Sequence, residues 1–247
     1  MSPATPLVTH LGDRTVVVSA IRQGSGVLLT DRLVLTCAHV VKSGSVHIAH
    51  PARRERVRAT VAWIDYRLDV ALLEATEPVR PVPPVRLGVL DTREAIPGCE
   101  ITGFPRVQRY GPDKRLEADH YTATVLPMAG RVRDLLVCDL DGPPAAGPDD
   151  GPPALSGLSG GPVFAGDILL GIARQVPQQW EGRRVECVPS ARSSRRSPSC
   201  RPTAGPAPCC GRNASTATSR ETCGTRRSTR RRWASRTAVR RSSASTS

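Results

Sequence analysis

From Thr15 onward the chain sustains no long apolar stretch; it breaks into short runs rich in Val, Ile, Leu and Thr, separated by turn residues. A first set comprises Thr15 to Ile21, Gly26 to Thr30, Arg32 to Thr36, Ser45 to Ala49, Val57 to Ile64 and Val70 to Leu73. Such residues pack well on a pleated surface, and turns recurring about every eight to twelve positions favour antiparallel pairing, so the pattern predicts a sandwich or barrel. Only Ala38 to Lys42 reads as a helical turn. Glu77 to Arg86 is too proline-rich for a central strand, because proline lacks a ladder donor, and it reads as a connector. A second set follows: Glu100 to Gly103, His120 to Leu126, Leu135 to Asp139, Gly161 to Phe164, Ile168 to Ala173 and Arg184 to Val188. The expected fold class is all-β, with two antiparallel β-barrel subdomains at about residues 15–76 and 87–189 and a cleft between them. A chain of 247 residues is long enough for this and for a sizeable core.

The net charge of +13 suggests an anionic partner until it is divided along the chain. Residues 1–189 hold 21 basic and 21 acidic side chains, whereas residues 190–247 hold 14 arginines against the single acid Glu221. That tail is built almost wholly from Arg, Ser, Thr, Ala, Pro, Gly and Cys, with Val239 and Trp233 as its apolar exceptions. It cannot bury enough apolar surface to offset the entropy of ordering it, so disorder is expected. One reading makes it a nucleic-acid-binding arm centred on Arg226 to Arg232. The favoured reading is out-of-frame translation of a GC-rich gene, starting just after Pro189 and replacing a native C-terminus. Nucleic acid is then disfavoured as a partner.

Neither a secretory signal nor a membrane span is visible near Met1 to Ala20, where Asp13, Arg14 and Ser19 flank the only valine run. A cytoplasmic location and reduced, mostly buried thiols at Cys37, Cys99, Cys138 and Cys187 are therefore expected. No cysteine cluster has zinc-ligand spacing, and neither metal nor cofactor is expected.

Three segments carry chemistry. Gly157-Leu158-Ser159-Gly160-Gly161-Pro162-Val163-Phe164 puts a serine on a glycine-rich turn that runs into an apolar strand. Such a turn can push a hydroxyl into a cleft and aim amides at one point, although Gly-Gly-Pro before a strand is also ordinary turn chemistry. Leu33-Val34-Leu35-Thr36-Cys37-Ala38-His39-Val40-Val41 delivers a histidine at the end of a strand. In Asp65-Tyr66-Arg67-Leu68-Asp69-Val70-Ala71-Leu72-Leu73, an acid opens an apolar strand, where its burial is costly unless it accepts hydrogen bonds. An imidazole N–H is a suitable donor. Together His39, Asp69 and Ser159 supply a base, an acid that fixes its tautomer, and a hydroxyl nucleophile. The other histidines, His10, His47, His50 and His120, have no such surroundings and read as surface or structural. Cys37 reads as core packing rather than a redox switch.

In that order, and through the phrases Leu-Thr-Cys-Ala-His-Val-Val, Asp-Val-Ala-Leu-Leu and Ser-Gly-Gly-Pro-Val-Phe, the sequence resembles the trypsin-like serine peptidases of chymotrypsin fold. The resemblance spans about Val16 to Val188 and is greatest to signal-less bacterial domains related to the HtrA group, whose opening phrase matches Gly24-Ser25-Gly26-Val27. It implies two barrels of chymotrypsin type, with serine endopeptidase activity through an acyl-enzyme. It also implies an oxyanion hole from the amides of Gly157 and Ser159, and pocket walls from Pro153, Ala154, Leu155 and Ser156 on one side and Ile172, Ala173 and Arg174 (to Gln175) on the other. With no acid at Pro153, Ala154 or Leu155, a preference for small or medium apolar side chains is expected, and Arg174 would favour an acidic neighbour. Leu158 stands where digestive relatives carry an aspartate that pairs with a newly cut N-terminus, so activation by such cleavage is not expected. Protein or peptide substrates are the expected partners, with a signalling or NTPase module lost along with the native C-terminus. Two alternatives stay open: a degenerate peptidase that captures peptides without cutting, and nucleic-acid binding through the tail.

Overall fold

The computed structural model describes residues 11–190 apart from 43, 54, 106–108, 111, 113–114, 143–152, 154, 178–179 and 181. These residues lie in one structural unit. The first apolar runs become β1 (Thr15–Ser19), β2 (Gln23–Leu28), β3 (Leu33–Thr36), β4 (Val46–Ala49), β5 (Val57–Asp65) and β6 (Val70–Ala75). They close into an antiparallel barrel in the order β1-β2-β3-β6-β5-β4. Closure removes free sheet edges. Alternation is clearest in β4, where Val46 and Ile48 are buried and His47 and Ala49 are not, so one face of the strand fills the barrel.

The remaining strands are β7 (Arg86–Leu87), β8 (Ile96–Gly103), β9 (Arg109–Tyr110), β10 (Arg115–Leu116), β11 (Asp119–Leu126), β12 (Leu136–Leu140), β13 (Pro162–Ala165), β14 (Ile168–Gln175) and β15 (Arg184–Pro189). The order β13-β8-β11-β12-β15-β14, closed by pairing of β13 with β14, makes a second six-stranded antiparallel barrel, and β7 adds to β14 in parallel. No described helix exceeds a short 3-10 turn, in keeping with the all-β, two-barrel chymotrypsin-type fold read from the sequence. The expected disorder of the basic tail, and the arm centred on Arg226 to Arg232, lie outside the described residues.

Each barrel has its own core. Val16, Val18, Leu28, Val34, Ile48, Val70 and Leu73 fill the first, while Cys99, Ile101, Val125, Leu136, Cys138, Val163 and Val185 fill the second. Phe164, Leu169, Ile172 and Val188 belong to strands of the second barrel yet pack into the core of the first. An apolar seam thus fixes the barrels to each other. The connector adds two stitches, Val79 N to Asp31 O at 2.8 Å and Val85 N to Leu29 O at 3.0 Å.

Strand β2 starts three residues before the sequence suggests, running through Gly24-Ser25-Gly26. Glycine weakens a strand unless another backbone comes close, and here one does. A Cβ on Gly24 would sit 2.9 Å from the Ser159 carbonyl oxygen and 2.7 Å from Val40 Cγ2.

Candidate active site

Strand β3 ends at Thr36, and the chain passes through extended Cys37 into a single 3-10 turn, Ala38–Val40, which carries His39. Between β5 and β6, the strand paired with β3, Asp65 Oδ1 accepts the backbone amides of Arg67 (2.9 Å) and Leu68 (3.0 Å), closing the turn before β6. The turn delivers Asp69 at a φ of +60°, in the left-handed region that aspartate tolerates better than most side chains. The acid then meets the base. His39 Nδ1 lies 2.8 Å from Asp69 Oδ2, and the His39 amide donates to Oδ1 at 2.9 Å.

Asp69 is only 9% exposed. Burial pushes its carboxyl up, but the two hydrogen bonds from His39 and the nearby charge of Arg174 more than offset this and hold it below the ordinary value. The carboxylate therefore only accepts, so Nδ1 carries the proton of the neutral ring and Nε2 is left with a lone pair.

Ser159 sits on the turn before β13, where Gly157 and Gly160 take φ values of +108° and +90°. A Cβ at Gly160 would fall 2.0 Å from the Ser25 carbonyl oxygen, so only glycine fits. The turn is held from three sides. Ser25 Oγ donates to the Gly157 carbonyl (2.8 Å) and accepts from Phe104 N (2.9 Å), and Ser25 N donates to the Ser159 carbonyl (2.8 Å). The Ala173 carbonyl accepts from Gly160 N (2.7 Å) and from Cys37 Sγ (3.2 Å), joining the serine turn to the strand that leads to His39. Leu158 is 1% exposed and packs into the second barrel's core, so an apolar plug anchors the turn where digestive relatives have an aspartate.

Among the described residues, the Gly157 and Ser159 amides donate to no other group. The Ser159 hydroxyl donates to the Arg174 carbonyl at 3.1 Å, and no hydrogen bond joins it to His39. The Arg174 side chain turns back to Asp69, with Nε 3.3 Å from Oδ2. One residue thus touches the serine through its backbone and the acid through its side chain.

Of the expected pocket walls, Leu155, Ile172 and Ala173 are buried in or beside the cores, Ser156 and Arg174 are half-buried and Pro153 is exposed. Ala154 lies outside the described residues. Sequence reading left Ser25 without a role, although Gly24-Ser25-Gly26-Val27 had marked the segment; its partners are 79 and 132 residues away. His50 is structural, with Nδ1 accepting from Ala52 N (3.1 Å) and Nε2 donating to Asp13 O (2.8 Å).

The only grouping of potential metal ligands among the described residues is Cys37, His39 and Asp69, whose donor atoms lie within 4.8 Å of one another. The set suits a cation poorly. Burial, reinforced by Asp69's charge, pushes the Cys37 thiol far up and keeps it protonated, and the Arg174 guanidinium already occupies Asp69.

A family profile described as a trypsin-like peptidase domain matches residues 24–170, which include His39, Asp69 and Ser159. The chain belongs to this family. No curated protein sequence matches it. Among solved structures, the trypsin-like domain is similar to the active form of the Rv3671c protease from M. tuberculosis, with a TM-score of 0.56 at 18% identity over 76% of this chain and 81% of that one. The inactive form of that protease gives 0.53 at 18% identity over 76% and 89%. The serine endoprotease from Yersinia pestis gives 0.54 at 19% identity over 79% and 66%. At such identities the likeness concerns the fold alone. Among the described residues no helix is long and apolar enough to cross a membrane.

Proposed function

We propose that this trypsin-like domain is a serine endopeptidase in which His39 is the base, Asp69 its orienting acid and Ser159 the nucleophile. The observation that carries the reading is the buried, ionised Asp69 gripping both the ring and the backbone of His39. That grip fixes the tautomer that leaves Nε2 as acceptor, the state a general base needs. The Ser159 hydroxyl turns from the Arg174 carbonyl toward Nε2, and Oγ attacks the peptide carbonyl carbon as the proton passes to His39. The amides of Gly157 and Ser159 receive the oxyanion, each contributing on the order of 3–4 kcal/mol. His39 then protonates the leaving amine, and a water activated by the same ring cleaves the acyl ester. With Pro153 and Ser156 as the described surface of one wall, we propose that the primary pocket takes small or medium apolar side chains.

The test is hydrolysis of an unfolded protein substrate by the intact chain and by its Ser159→Ala and His39→Ala variants. Cleavage by the parent and its loss in both variants is the expected result. The position of the Ser159 hydroxyl on Arg174 favours a second reading, a peptide-capturing module with an idle serine. Saturable peptide binding without turnover, unchanged by Ser159→Ala, would support it.

A further inference from the structure

Resting on the peptidase reading, we infer that Arg174 is a carboxylate-selecting subsite, recognising an acidic group of the peptide substrate beside the bond that Ser159 attacks. Its carbonyl accepts the Ser159 hydroxyl at 3.1 Å, which puts residue 174 at the nucleophile. Its side chain is 31% exposed, and Nε is pinned to Asp69 Oδ2 at 3.3 Å. A guanidinium presents five N–H donors in a planar fork, and pinning one edge leaves the Nη1/Nη2 end as a pair matched to a carboxylate. Among the described residues neither Nη atom makes a hydrogen bond or ion pair. The nearby acids are already engaged. Asp69 is held by His39, while Glu186, which lies in Arg174's field, accepts Gln175 Nε2 at 2.8 Å and pairs with Arg133. The Asp69 contact also fixes the arginine before substrate arrives, which lowers the ordering cost of binding.

The fork does not distinguish a glutamate or aspartate side chain from a peptide's terminal carboxylate, so the experiment separates them. Fluorogenic peptides, capped at both ends and differing only by Glu or Gln at each of the three positions on either side of the cleaved bond, are turned over by the intact chain. A second series ends in a free carboxylate. The expected result is one position at which Glu is favoured by about tenfold in kcat/KM, as for a partly exposed charge-assisted pair, with the ratio shrinking as salt rises. Preference in the capped series assigns the fork to a side chain; preference only with a free end assigns it to the terminus. In Arg174→Gln the Glu/Gln ratio falls to about one, and in Arg174→Glu a lysine peptide is preferred. A merely structural role would lower all rates together and leave the ratio intact. Ratios near one at every position, with robust cleavage, overturn this inference and leave the peptidase reading standing. If the chain cleaves nothing, the peptidase reading fails, and the subsite is read from binding of the same Glu and Gln peptides by fluorescence anisotropy, where equal affinities overturn it.

Discussion

Ser25 and Gly157, 132 residues apart in sequence, are joined by a 2.8 Å hydrogen bond from the Ser25 hydroxyl to the Gly157 carbonyl. The same oxygen accepts the Phe104 amide, so one buried side chain of the first barrel holds two backbone segments of the second. Ser25→Ala leaves both groups unpaired in the interior, at about 1–3 kcal/mol for each such group. We expect a loss of roughly 2 kcal/mol or more in urea unfolding. Because Gly157 would be an oxyanion donor, kcat should fall by more than KM rises.

Gly160→Ala should be more damaging. The new methyl meets the Ser25 carbonyl at 2.0 Å, and residue 160 must keep a φ of +90°. A destabilisation of about 3 kcal/mol or more is expected, read as a fall in the thermal midpoint, with activity lost in parallel.

Strand placement was largely legible because runs rich in Val, Ile, Leu and Thr are set off by turn residues, and the local phrases around His39, Asp69 and Ser159 picked out their three segments. What could not be read were contacts whose partners are distant in sequence. Nothing local distinguishes Ser25 from any small residue in a glycine-rich strand. The sequence placed Arg174 in a pocket wall with a preference for an acidic neighbour, but its Nε contact with Asp69, spanning 105 residues, could not be read from it. Strand propensity likewise does not say which face of β14 meets the other barrel, so the packing of Ile172 into the first barrel's core could not be read from sequence.

Stability should decline with acid in two windows. Burial holds His50 below its ordinary value against the opposing pull of its bond to Asp13, so the unfolded chain binds this proton more readily and stability falls as pH drops through about 6.5. Asp69 is also held low, so its contribution is present above about pH 4 and is lost as pH falls through its lower folded-state value. Urea midpoints measured from pH 8 to 3 should step down in both ranges. His50→Gln should flatten the upper step and Asp69→Asn the lower one.

Asp69→Asn should also cut kcat by about 10³–10⁴-fold, since an amide can donate to Nδ1 and favour the wrong tautomer. Steady-state kinetics at pH 7 check this, with circular dichroism confirming that the barrels persist.

The thiols of Cys37, Cys99, Cys138 and Cys187 are free and buried; burial pushes Cys99 up to about 11 and holds Cys37 and Cys187 well above the ordinary thiol value. Iodoacetamide should leave these four unmodified in the native protein and alkylate them after unfolding, as mapped by peptide mass. Rapid native alkylation of Cys37 would contradict its place in the core.

The central claim is that Ser159 is an activated nucleophile. Its most direct test is labelling of the folded, intact chain with a fluorophosphonate, followed by peptide mapping. The account predicts one adduct, on Ser159, absent in Ser159→Ala and strongly slowed in His39→Ala. A folded chain that takes no label, or one labelled equally in Ser159→Ala, would contradict it.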